Sequence, residues 1–142
     1  MAVTQQQMGI ELNKELVRQA YDALNQGDMD RFGEFLSDDF REVAHFGMGR
    51  NKEDYLANFV NLRTMMPDVR FDIQEVIAEG DRIVVVENYS GTMTGELKGL
   101  EPNGRRMSVT AVDIYRAKDG KLTEVLSVLD TASVMEQLGL MD

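Results

Sequence analysis

Apolar positions recur about every three to four residues in the first half of the chain and every second residue in the second half, so helices precede strands. Leu12, Leu16, Ala20 and Leu24 form one stripe, widened by Val17 and Tyr21. The spacing predicts a helix over about Asn13 to Gln26, with Gly27 placed for a left-handed C-terminal cap. Asp28 then caps a short second helix carrying Met29, Phe32, Phe35 and Leu36. A short strand follows over Asp39 to Phe46, where Phe40, Glu42 and Ala44 alternate with Arg41, Val43 and His45. Asn51 caps a third helix whose stripe, Tyr55, Phe59, Leu62 and Met66, runs up to a stop at Pro67.

From Val69 onward the period is two. Val69, Phe71 and Ile73 alternate, then the pattern slips at Gln74 and Glu75, which predicts a bulge or bend. Gly80-Asp81 turns the chain into a strand over Arg82 to Gly95, apolar on both faces around Ile83 to Val86 and therefore central. A loop over Glu96 to Gly104 leads to two alternating runs joined by Asp119-Gly120, a dipeptide suited to the positive φ angles of a two-residue hairpin. A short helix around Ser133 to Leu138, ended by Gly139, closes the chain. Residues 1–10, with three successive glutamines and no period, read as a disordered tail, and residues 11–142 as a single domain. The expected fold is α+β: a cone-shaped, curved, mostly antiparallel sheet covered on its concave face by the N-terminal helices, with a cavity at the open end.

Composition narrows the function. A net charge of −10 opposes nucleic-acid binding, which needs lysine and arginine against phosphates. No run of 18 apolar residues and no secretory leader pattern occurs, so neither a membrane partner nor export is expected, and the setting is read as cytoplasmic. The absence of cysteine excludes disulfides and thiolate metal sites. With His45 as the only histidine and no recognisable ligand spacing among the acids, no metal and no cofactor are expected. Ten methionines without tryptophan suit either ordinary core packing or the lining of an irregular apolar cavity.

Candidate chemistry lies in acids placed in apolar strands. Asp113 shares a face with Met107, Val109, Ala111 and Tyr115, and Glu87 stands beside Ile83, Val85 and Tyr89. A buried carboxylate must be paired, hydrogen-bonded or shifted in pKa. Two of them close together would have their pKa values driven apart, leaving one acid and one base. The plainer alternative pairs them with Arg82, Arg116 or backbone amides, or turns them outward. Glu42, near a strand end, is the third candidate, at a cavity rim or on the surface. Tyr55, Phe59, Met66, Tyr89, Met93, Met107, Ala111 and Tyr115 would line a site for a flat apolar molecule, or serve as plain core. His45 is a possible base but directly precedes a glycine break, which favours a solvated loop. Ser127 has no histidine partner in sequence and is read as a polar contact to ligand. The outward residues Val84, Val86, Val112 and Ile114 need covering, which predicts a homodimer through sheet faces.

The runs NKELVRQAYDALNQGDMDRF, FLSDDF, MMPDVRFDIQEVIAEGDRIVVV, GTMTGELKGLEPNGRR and DIYRAKDGKLTEVLSVLD resemble the SnoaL-like polyketide cyclase family, within the superfamily of ketosteroid isomerase and limonene epoxide hydrolase. The resemblance extends from about Leu12 to Leu140. It implies the cone fold and an apolar small-molecule substrate. It also implies cofactor-independent acid-base chemistry, namely a cyclisation, isomerisation or dehydration on a carbonyl compound, with a binding module or an epoxide hydrolase as alternatives. By the same resemblance Asp113 takes the place of a cyclase pocket histidine and of the isomerase aspartic acid that donates to an oxyanion. Ser127 stands where the cyclases carry their principal acid-base aspartate and Glu42 where they have a pocket asparagine. The isomerase base and oxyanion tyrosine are replaced by Ala44 and Ala20.

Overall fold

The computed structural model describes residues 4–43 and 49–141. Four helices and six strands follow one another as α1 (Gln5–Gln26), α2 (Met29–Glu34), β1 (Leu36–Val43), β2 (Arg50–Asn51), α3 (Lys52–Met65), β3 (Arg70–Glu79), β4 (Arg82–Thr92), β5 (Arg106–Lys118), β6 (Lys121–Leu129) and α4 (Thr131–Gln137). The strands form one curved, unclosed sheet in the order β2-β1-β6-β5-β4-β3, antiparallel except where β1 runs parallel to β6. The helices pack on its inner face.

Helix α1 begins eight residues before the expected Asn13. Thr4 forms a capping box with Gln7: its hydroxyl accepts from the Gln7 amide at 3.1 Å and the Gln7 side chain accepts from the Thr4 amide at 3.1 Å. The first three turns are solvated, so they carry no apolar stripe for a periodicity argument to find. Val17, Ala20, Tyr21, Ala23 and Leu24 form the buried stripe further along. At its far end Asn25 pairs with the edge strand, donating to the Phe71 carbonyl at 3.0 Å and accepting from the Phe71 amide at 2.8 Å.

Helix α2 stops at Glu34, and Leu36 starts β1 instead of ending the helix. The cause is long-range: the Leu122 amide bonds to the Phe35 carbonyl at 2.8 Å, which draws this segment to the edge of β6. β1 therefore starts three residues before the expected Asp39. Its expected end at Phe46 lies outside the described residues. Asn51 caps α3 by accepting from the Asp54 amide at 2.9 Å.

The irregularity anticipated at Gln74 is a register shift between Ile73 and Glu75 against β4. β4 is interior, paired along its length with β5. The β5–β6 turn holds Asp119 at φ 51° and Gly120 at φ 76°, the paired positive angles that a tight hairpin requires. Beyond β4, Gly95 fits because it has no side chain: a Cβ there would lie 1.8 Å from the Thr64 carbonyl oxygen. Among the described residues no helix is long and apolar enough to cross a membrane.

Candidate active site

Alternation along β4 and β5 sends Ile83, Val85, Glu87 and Tyr89 inward, together with Ala111, Asp113 and Tyr115. Glu87 pairs in register with Ala111, one inward position along β5 from Asp113. The acids are thus diagonal neighbours on one face, a separation their side chains can span. The small Ala111 opposite Glu87 leaves space in front of both.

That space is a cavity of about 360 Å³. α1 contributes Tyr21 and Leu24 to it. α3 contributes Tyr55, Asn58, Phe59 and Leu62. The sheet supplies Glu42, Arg50, Phe71, Glu87, Tyr89, Ala111, Asp113, Tyr115, Ser127 and Leu129, and α4 covers one side with Thr131 and Val134. Phe71 and Tyr89 stack with centroids 4.9 Å apart, and Phe59 meets Phe71 edge-on.

Glu87 is 2% exposed and Asp113 8%. Tyr21 donates to Asp113 Oδ2 at 2.6 Å, and its oxygen lies 3.0 Å from the Tyr115 hydroxyl. A hydroxyl has one proton to give, so Tyr115 donates to Tyr21 and the chain runs Tyr115 to Tyr21 to Asp113. Burial first, then the hydrogen bond and charge of Asp113, push the Glu87 carboxyl up to about 11. Glu87 is therefore a neutral acid near neutral pH. Its Oε2 is buried without any hydrogen-bond partner. Burial, reinforced by the charge of Asp113, also holds the Tyr21 and Tyr55 hydroxyls well above the usual tyrosine range. Tyr115 is held up likewise, by burial first.

Of the residues singled out from sequence, Asp113, Glu87, Glu42, Tyr55, Phe59, Tyr89, Ala111, Tyr115 and Ser127 all line this cavity. Glu42 is at the rim, its Oε1 2.7 Å from Arg50 Nη1 across the β1–β2 pair. Ser127 faces Asp113 across the β5–β6 register. Met66, Met93 and Met107, expected in the lining, are instead solid core with no exposure. Past Tyr89 the inner face is sealed, because Met66 packs directly over Gly91, whose register partner is Met107. His45 lies outside the described residues. Arg116 does not neutralise Asp113. It faces outward and pairs with Asp81 and Glu124 at 3.3 and 3.4 Å.

Tyr21 was missed as a site residue because its place in the helical stripe marked it only as core. Arg50 and Asn58 carried no apolar-pattern signal at all. Among the described residues no group of three or more His, Cys, Asp or Glu is placed to hold a metal.

A model of the SnoaL-like polyketide cyclase family matches residues 14–138. No curated protein matches the chain. Similar solved structures include AclR from Streptomyces galilaeus, a candidate hydroxylase, at 23% identity and a TM-score of 0.83, covering 93% of this chain and 83% of that one. IdmH from Streptomyces antibioticus, a candidate polyketide cyclase, is 24% identical with a TM-score of 0.79, over 89% of this chain and 98% of its own. A SnoaL-like protein from Jannaschia sp. CCS1 is 23% identical with a TM-score of 0.83, over 100% and 99%. At these identities the likeness establishes the fold.

Proposed function

The chain belongs to the SnoaL-like polyketide cyclase family, and from that premise we propose a cofactor-independent enzyme that moves a proton on an apolar, carbonyl-containing small molecule. The observation that carries this reading is the pair of buried acids, Glu87 neutral and Asp113 held by Tyr21, at the wall of an aromatic cavity.

Asp113 acts as base. It takes a proton from the carbon next to the substrate carbonyl, and the electron pair moves onto the carbonyl oxygen, where Tyr55 or Glu87 donates a hydrogen bond. Return of that proton at a different carbon completes an isomerisation. Attack of the carbanion on a second carbonyl, whose oxygen then takes the proton held by Asp113, completes a cyclisation, and departure of a β-hydroxyl as water, protonated by Glu87 while Asp113 keeps the abstracted proton, completes a dehydration. Aromatic walls keep water from the enolate, where each donor is worth more than in solvent. Positioned acid-base groups of this kind typically supply about a hundred- to ten-thousand-fold in rate.

The test is turnover across a panel of polycyclic ketones, lactones and epoxides. Asp113→Asn and Glu87→Gln should each lower it at least about tenfold with the melting temperature retained. Full activity in both rejects the assignment.

Ser127, a non-ionisable group opposite Asp113, favours a second reading, a binding module without catalysis. Tight binding of panel members with no conversion would support it.

The same proposal includes a homodimer. Two outward rows cross the sheet in register, Ile77, Val84, Ile114 and Leu126 in one and Val86, Val112 and Val128 in the other. Ile77 is 51% and Val128 45% exposed, and a self-complementary partner would bury both rows.

A further inference from the structure

The charges lining the cavity do not balance. Glu42, Glu87 and Asp113 bring three carboxyl groups, and Arg50 is the one basic side chain among the described lining residues. Arg50 is already held by Glu42 at 2.7 Å. Facing Glu87 and Asp113 are Tyr21 from α1, Tyr55 from α3 and Tyr115 from β5, none of them cationic.

Two further observations point to what would complete the site. Glu87 Oε2 is a wholly buried polar atom without a hydrogen-bond partner. Unpaired buried polar atoms are rare in folded proteins, and at the wall of a cavity a ligand is one group that can supply the missing partner. The cavity walls around the acids are aromatic, with Tyr21, Tyr55, Phe59, Phe71, Tyr89 and Tyr115 presenting ring surface. Aromatic faces attract cations, most strongly where water is excluded.

We infer that the cavity takes a molecule bearing a protonated aliphatic amine, its N–H directed at Glu87 and Asp113 and its alkyl substituents against the tyrosine and phenylalanine rings. The inference rests on the reading of this cavity as a small-molecule site and names the class of molecule: a carbonyl compound with a basic nitrogen. An anionic ligand would meet the Asp113 carboxylate with no free cation to answer it, and a purely apolar one would leave Glu87 Oε2 without a partner.

Binding has a proton signature. Glu87 is neutral because it is buried beside Asp113. An ammonium group arriving there favours the ionised form, so the Glu87 proton leaves as the amine enters, and for such a substrate Tyr55 is the remaining donor to the carbonyl oxygen.

Calorimetry on the purified protein, in buffers of differing ionisation enthalpy, tests this with three probes of similar size: N,N-dimethylbenzylamine, the neutral ketone phenylacetone, and phenylacetate. The amine should bind at least about tenfold more tightly than the ketone, with phenylacetate weakest. Near neutral pH about one proton should be released per amine bound. Glu87→Gln should abolish that release, and Asp113→Asn, with melting checked, should bring amine and ketone to equal affinity. Ketone binding as tight as amine binding, or no amine binding, overturns the inference. Amine binding without proton release overturns its assignment to Glu87 and Asp113. The outcomes separate from those of the proposed function: ketone turnover with no amine preference refutes this inference alone, and amine binding with no turnover of the panel or of aromatic amino ketones added to it refutes the enzymatic reading alone.

Discussion

The hydroxyl of Tyr21 on α1 reaches Oδ2 of Asp113 on β5 at 2.6 Å, joining a helix to the centre of the sheet through a buried polar contact. A carboxylate at 8% exposure depends on such donors. Tyr21→Phe removes the donor and little volume. It should cost about 1–3 kcal/mol in stability, the usual consequence of stranding a buried acceptor. Turnover should fall at least about tenfold, with an altered pH-rate profile, because the base loses its orienting contact. Thermal melts and a pH profile of kcat/KM check both, and an unchanged profile would sink the positioning role.

Glu87 makes stability depend on pH in a sign that can be worked out. Its folded pKa is raised to about 11, above the unfolded value of an ordinary glutamic acid. Between those values the folded state holds a proton that the unfolded state has lost, so stability falls as pH rises through that window. Glu87→Gln keeps the neutral shape and cannot titrate. The variant should therefore lose less stability than the parent between about pH 5 and about pH 10. Denaturant midpoints across that range provide the measurement, and parallel curves would contradict it.

The outward rows lend themselves to a charge insertion. Val112→Lys places an ammonium in the middle of the sheet's outer face without touching the cavity. Light scattering should give a dimer mass for the parent and a monomer mass for the variant. A monomeric parent protein removes the dimer proposal.

Two glycines should respond oppositely to alanine. At Gly95 the new methyl would strike the Thr64 carbonyl, costing about 1–3 kcal/mol as the backbone shifts. At Gly9, inside α1, nothing lies within 4 Å. Gly9→Ala should stabilise the helix by up to about 1 kcal/mol. A matched pair of melting curves decides each.

Much of this architecture was legible in sequence because its signals are local. Asp119-Gly120 announced a hairpin through turn chemistry, Asn51 announced α3 through its cap, and the slip at Gln74 announced a bulge. Period two set Asp113 and Glu87 among apolar neighbours on one face, but left open whether that face looked inward. Failures came where structure is set at a distance. The pull of β6 on Phe35 and Leu36 is a parallel pairing between segments far apart in sequence, invisible to any window. The Thr4–Gln7 box was a readable signal, but without an apolar stripe after it the first turns looked like tail. Tyr21, a stripe residue, shows its polar end only once β5 is placed beneath it. The three methionines stood between lining and core for the complementary reason: alternation assigns a face, yet only packing decides which part of that face is filled.

Helix α4 is tied down at its far end by the segment that leads into β5. Gln137 bonds both the amide and the carbonyl of Ser108, at 2.8 and 3.3 Å. Asn103 and Arg105 donate to the Leu138 and Gln137 carbonyls at 2.7 and 2.9 Å. The helix that walls one side of the cavity is thereby fastened to β5 and the connection before it by four side-chain hydrogen bonds. Shortening that connection would strip α4 of these anchors, and with them the fixed places of Thr131 and Val134 at the cavity wall, while Glu87 and Asp113 stay in their strands.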